Sequence, residues 1–76
     1  MTEVSLDLWT IYDHPKDHPG GFIARRFEVG IFGHRPTRDT IHSSDLEELR
    51  TAMQERGLYC IPRSEGDDPV IIETWV

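Results

Sequence analysis

Residues 44–57, SDLEELRTAMQERG, set the architecture. Leu46, Leu49 and Met53 recur at helical spacing, with Ala52 beside them, and give a helix one apolar stripe. Ser44 stands where an N-cap belongs, and Glu47 follows three residues on, as a capping box requires. Asp45, Glu47 and Glu48 load the first turn with negative charge, while Arg50 and Arg56 lie toward the other end, so both ends suit the helix dipole. Gly57 is placed to end the helix in a left-handed conformation.

Strand patterns lie on both sides of this helix. Residues 5–12, SLDLWTIY, alternate, with Leu6, Leu8 and Tyr12 on one side and Trp9 and Ile11 on the other. Residues 22–32, FIARRFEVGIF, form a longer strand in which Ile23, Phe27, Val29 and Ile31 share a face that Arg25 interrupts. Residues 33–42, GHRPTRDTIH, read as a loop with a short extended piece at Asp39–His42. Beyond the helix, residues 58–62 (LYCIP) and 70–76 (VIIETWV) read as strands around the turn-forming SEGDD. The expected fold class is α+β, in the order ββαββ. It is a four-stranded, largely antiparallel sheet with one helix packed on one face.

A chain of 76 residues makes a single domain, residues 1–76. A domain of this size buries only about 60% of the surface its unfolded chain exposes. Its single cysteine, Cys60, excludes an internal disulfide, and in a strand it reads as a buried, inert thiol. No apolar run approaches the roughly 20 residues of a membrane helix, so no membrane partner is expected. The N-terminus, MTEVSLDLWT, lacks the basic and apolar regions of a signal peptide, which makes the cytoplasm the expected compartment.

The net charge of −6 is unevenly spread. Residues 14–38 carry Lys16, Arg25, Arg26, Arg35 and Arg38 against only Asp17 and Glu28, whereas the flanks are acidic. An acidic total works against nonspecific nucleic-acid binding. The basic middle still admits one alternative, a single-stranded nucleic-acid contact through Arg26, Arg35 and Arg38 beside Phe22, Phe27 or Phe32.

The connection from Asp13 to Gly21 reads DHPKDHPGG. His14 and His18 are four residues apart, but each precedes a proline and is thereby pushed out of the right-handed helical region. A zinc site needs three or four ligands in fixed geometry, so these two are weak metal candidates. A metal-dependent enzyme built on them is the least favoured reading. A stiff loop, its prolines restricting the unfolded chain, accounts for the motif without a ligand. No catalytic residue and no cofactor are expected. Ser43 and Ser44 serve helix capping, and Asp67 and Asp68 a solvated turn.

The pattern Y-D-H-P-x-D-x-P-x-x-F-x-A-R-R, from Tyr12 to Arg26, resembles a segment of small uncharacterised bacterial proteins. Residues 57–63 and 67–76 are similar to the C-terminal ends of those proteins. The resemblance implies no activity and no catalytic residue.

One helix covers one face of such a sheet. If the helix takes the side of Leu6, Leu8, Tyr12, Ile23, Phe27, Val29, Ile31, Val70, Ile72 and Val76, the other side carries Trp9, Ile11, Phe22, Arg26, Ile71 and Trp75. Aromatics and arginine among charges are what interface cores favour. These six residues are the expected partner-binding set of a non-catalytic interaction or regulatory module, facing a second copy or another protein. Two alternatives stay open at this stage: the N-terminal or 33–42 segment covers that face, or a bulge shifts the alternation.

Overall fold

The computed structural model describes residues 6–31 and 33–76. Ser5 and Phe32, at the ends of two expected strands, lie outside the described residues, as does the N-terminal segment 1–5 proposed as a cover. The chain order is β1 (Leu6–Asp13), β2 (Phe22–Gly30), β3 (Gly33–Ser43), α1 (Leu46–Glu55), β4 (Cys60–Pro62) and β5 (Ile71–Trp75). All pairings are antiparallel, and the sheet order is β3-β2-β1-β5-β4. The α+β class and the single helix stand as expected, but the sheet has five strands rather than four.

The additional strand is β3, which replaces the expected loop. Its polar composition fits an edge position. Pro36, which has no N–H to donate, is tolerated where one side of a strand is unpaired. The β2–β3 register slips between Arg25 and Phe27, so Thr37–Asp39 bulge around Arg26. Thr37 Oγ1 donates to the Arg26 carbonyl at 2.8 Å, and Arg25 Nη1 donates to the Thr37 carbonyl at 3.1 Å.

The helix begins one residue later than the capping pattern suggests. Asp45 is the N-cap, and its carboxylate accepts from the Glu47 N–H at 3.0 Å. Ser43 supports it by accepting from the Asp45 N–H. At the other end Gly57 has φ +74, with Gly57 N–H on the Gln54 carbonyl and Leu58 N–H on the Met53 carbonyl. This is the doubly bonded glycine termination expected of a helix C-terminus.

The core cluster is Trp9, Ile11, Ala24, Leu49, Met53 and Trp75, with Phe22, Ile41, Leu46, Ala52, Leu58 and Ile72 packed around it. The helix therefore lies on the side of Trp9 and Ile11, and the two faces of the sheet are reversed from the expected assignment. Trp9 and Trp75 are register partners and are 6% and 5% exposed. Cross-strand partners Ile11, Ala24 and Ile41 line up beneath the helix, and the small Ala24 in the middle lets the helix approach.

Two outcomes check this packing. Leu49→Ala removes a fully buried side chain and should cost about 2–5 kcal/mol in chemical denaturation, enough to unfold much of a domain this small. Native tryptophan emission should be blue-shifted and poorly quenched by acrylamide for both indoles, each shown by the single-tryptophan variants Trp9→Phe and Trp75→Phe.

Candidate functional site

The helix side of the sheet binds its polar groups to one another. Glu73 lies opposite Ile11 and is 6% exposed. Arg50 reaches down from the helix and grips it with two bonds, Nε to Oε2 at 3.1 Å and Nη2 to Oε1 at 2.9 Å. The Trp75 indole N–H donates to Glu73 Oε2 at 2.8 Å. Arg50 Nη1 also meets Glu47 at 2.7 Å. Burial pushes the Glu73 carboxyl up. The Arg50 hydrogen bonds, the Trp75 indole, the Arg50 charge and the Cys60 thiol together outweigh burial and hold it below its usual range. Cys60 is exposed rather than buried, so that expectation is corrected. Partial desolvation and the negative Glu73 push its thiol up, against a smaller lowering by Arg50, which leaves it poorly suited to nucleophilic attack.

Beyond the helix the same side carries a charge ladder. Arg26 donates to Asp39 at 2.7 Å and to Asp7 at 2.9 Å, and Arg35 donates to Glu28 at 3.0 Å. The hydrogen bonds to Asp39 and then Asp7 push the Arg26 guanidinium further up. The alternative nucleic-acid set is thus divided, with Arg26 and Arg35 neutralised by acids and Arg38 exposed on edge strand β3. The Arg56 guanidinium lies 5.2 Å over the Trp9 ring. The hollows beside the helix are lined by Asp45, Glu47, Glu48 and Glu55, or by Asp7, Arg26 and Arg56 around Trp9. Both are open to solvent.

Of the expected partner-binding residues, Trp9, Ile11 and Trp75 are core and Phe22 packs against that core. Arg26 sits in the charge ladder, and Ile71 is half-buried opposite Tyr12, next to a register shift. They do not form an exposed patch.

His14 and His18 are also kept apart. His14 has φ +47, contacts Asp13 through Nδ1 and meets the Phe22 ring edge-on at 5.0 Å, on the helix side. His18 meets the His42 ring edge-on at 4.2 Å. His42 pairs with Ile23 and so faces away from the helix. The loop is closed by His14 N–H on the Gly21 carbonyl and His18 N–H on the Pro15 carbonyl. A Cβ on Gly21 would come within 2.7 Å of the Ser43 carbonyl oxygen, so only glycine fits this approach. Among the described residues, no group of three or more His, Cys, Asp and Glu side chains is disposed to hold a metal ion.

The other face of the sheet carries a contiguous apolar set. Register and alternation put Leu6, Leu8, Thr10 and Tyr12 of β1 there, with Ile23, Arg25, Phe27 and Val29 of β2 and Ile61 of β4. Leu6 is 65% and Ile61 48% exposed, and Leu8, Tyr12, Phe27 and Val29 are half-buried. Thr10 and Ile23 at its centre are buried, Ile23 beside its register partner His42. Burial pushes the Tyr12 phenol up; Arg25 lowers it, and Asp17 raises it from the loop at the rim. Every carboxylate on a described strand (Asp7, Asp13, Glu28, Asp39 and Glu73) occupies a helix-side position or bonds there. The open face therefore combines apolar side chains with Arg25, His34, His42 and the threonines Thr10, Thr40 and Thr74, and has no strand carboxylate.

Comparison with protein-family models, with curated proteins and with solved structures finds no match.

The Glu73 network has a pH signature. A carboxyl held below its usual value of 4.5 contributes stability that is present above that value and is lost as pH falls through the lowered one. Glu73→Gln should lower stability at pH 7 by about 1–3 kcal/mol. The gap between variant and wild type should narrow in thermal melts as pH is taken progressively below 4.5 and the wild-type carboxylate takes up its proton.

Proposed function

We propose that this chain is a small non-catalytic interaction module whose binding surface is the sheet face opposite the helix. The observation that carries this reading is the contrast between the two faces. On one, the helix buries both tryptophans and the acids are paired. On the other, Leu6, Leu8, Phe27, Val29 and Ile61 are left partly or largely in water around Tyr12 and Arg25. Contiguous exposed apolar area of this kind marks a contact surface on a folded protein. Tyrosine, phenylalanine and arginine are also the residues enriched at such contacts.

The absence of catalysis in this reading is also a matter of chemistry. The histidines are divided between the two sides of the sheet, and the thiol is pushed away from ionisation. The buried carboxylate is committed to Arg50. A polynucleotide reading fares less well, since Arg26 and Arg35 of its arginine set are paired with acids on the helix side and the chain is at −6 overall.

The test compares the wild type with Leu6→Asp and Phe27→Glu as immobilised baits. Leu6 is mostly exposed, so its substitution leaves the fold intact. Partners retained by the wild type and lost from both variants, in native-host lysate or with purified chain, support the reading. Equal retention by all three refutes it. A labelled single-stranded oligonucleotide bound by the wild type in a salt-sensitive manner would transfer the face to the nucleic-acid alternative.

A further inference from the structure

We infer that the partner seated on the open sheet face is a second copy of this chain, packed face to face about a two-fold axis. The inference rests on the open face being the binding surface, and it adds the identity of the occupant.

Three observations favour a second copy. The first is charge. Two chains at −6 repel one another wherever their acids meet. On this face none of the described strands presents a carboxylate, and the acids of β1, β2, β3 and β5 lie on the far side of each sheet. Face-to-face contact is therefore the approach that keeps the two sets of acids furthest apart. Asp17 lies at the rim near Tyr12, where Arg25 carries the opposite charge.

The second is area. Five strands of 8, 9, 11, 3 and 5 residues, at about 4.8 Å per strand and about 3.3 Å per residue, present on the order of 500 Å². Two such faces give on the order of 1,000 Å², the least that a specific interface requires. Face-to-face sheets pack about 10 Å apart with interdigitating side chains, and Leu8, Phe27 and Val29 supply side chains of the size that spacing needs.

The third is that both edges of the sheet are closed to lateral extension. On β3 the outer edge carries Pro36 and the bulge at Thr37–Asp39, with charged Arg35 and Arg38. On β4 the strand is three residues long and ends in Pro62. Such features block strand addition. Association through the face buries the apolar set of Leu6, Leu8, Phe27 and Val29 without using an edge, and an isologous contact closes at two copies.

Sedimentation velocity on the full chain tests this over a range of concentrations reaching several hundred micromolar. The expected result is a concentration-dependent dimer that Leu6→Asp and Phe27→Glu each shift at least tenfold toward monomer. Tryptophan emission should remain blue-shifted in both, showing that the fold survives. Should Phe27→Glu fail to fold, Leu6→Asp alone decides the point. A wild type that stays monomeric throughout overturns the inference. If its open face still retains another protein or an oligonucleotide in the bait experiment, the binding face stands with a different occupant. A dimer indifferent to both substitutions uses another surface and overturns the inference, while the bait experiment alone decides the binding face.

Discussion

The fold turns on the Arg50–Glu73 pair. Glu73 sits in β5 opposite the core residue Ile11, and its carboxylate is taken out of water. A buried carboxylate is tolerable only with a matched partner. The partner is on the helix, so the helix must lie on the face that bears Glu73. That requirement decides which side of a sheet with two apolar faces becomes the interior. Trp75 adds its indole N–H to the same carboxylate, which fixes the ring that closes the end of the core. Removing either member of the pair would leave the other without its match, while replacing both with apolar groups of similar shape would disturb the core less.

The helix, its glycine stop and four of the strands are legible in the residues because each has a local signal. The stripe of Leu46, Leu49 and Met53 fixes the helix, and alternation fixes β1 and β2. Sidedness is not legible in the same way. Alternation in β1 gives two apolar sets, and counting residues favours Leu6, Leu8 and Tyr12, whereas the area at stake favours Trp9 with Trp75. Indoles bury more surface than any other side chain, so two of them outweigh a longer roster of smaller residues. Two features of the sequence do point the right way. Ala24, the one alanine in the strands, marks where the helix approaches, and the acid in VIIETWV needs a base from the helix. Strand β3 was hidden for a different reason: an edge strand makes ladder bonds on one side only, so prolines and charges are permitted and its composition resembles a loop.

The candidate site inherits this reversal. The six residues picked for a contact surface were chosen for bulk and aromaticity, and those same properties drew Trp9, Ile11 and Trp75 into the core. The site's location, the sheet face opposite the helix, is a consequence of having one ten-residue helix for five strands, and it does not depend on which residues occupy it. The DHPKDHPGG segment was legible as a closed, stiff loop. Its pairing of His18 with His42 was not, because that contact requires β3 to be a strand.

The two faces also differ in how they spend charge, and the difference connects stability to recognition. On the helix side Asp7, Glu28 and Asp39 are offset by Arg26 and Arg35 beyond the reach of the helix, so that surface is satisfied by pairs internal to the chain. Exposed pairs of this kind add little to stability, with a median near 0–1 kcal/mol. Their effect here is to gather the strand acids and two arginines on one side and leave the other nearly free of charge. A surface with few charges loses little hydration when covered, so contact through it sets apolar gain against a small desolvation cost. The same residues that cannot be hidden by a single short helix are therefore those that a matching sheet could cover most cheaply.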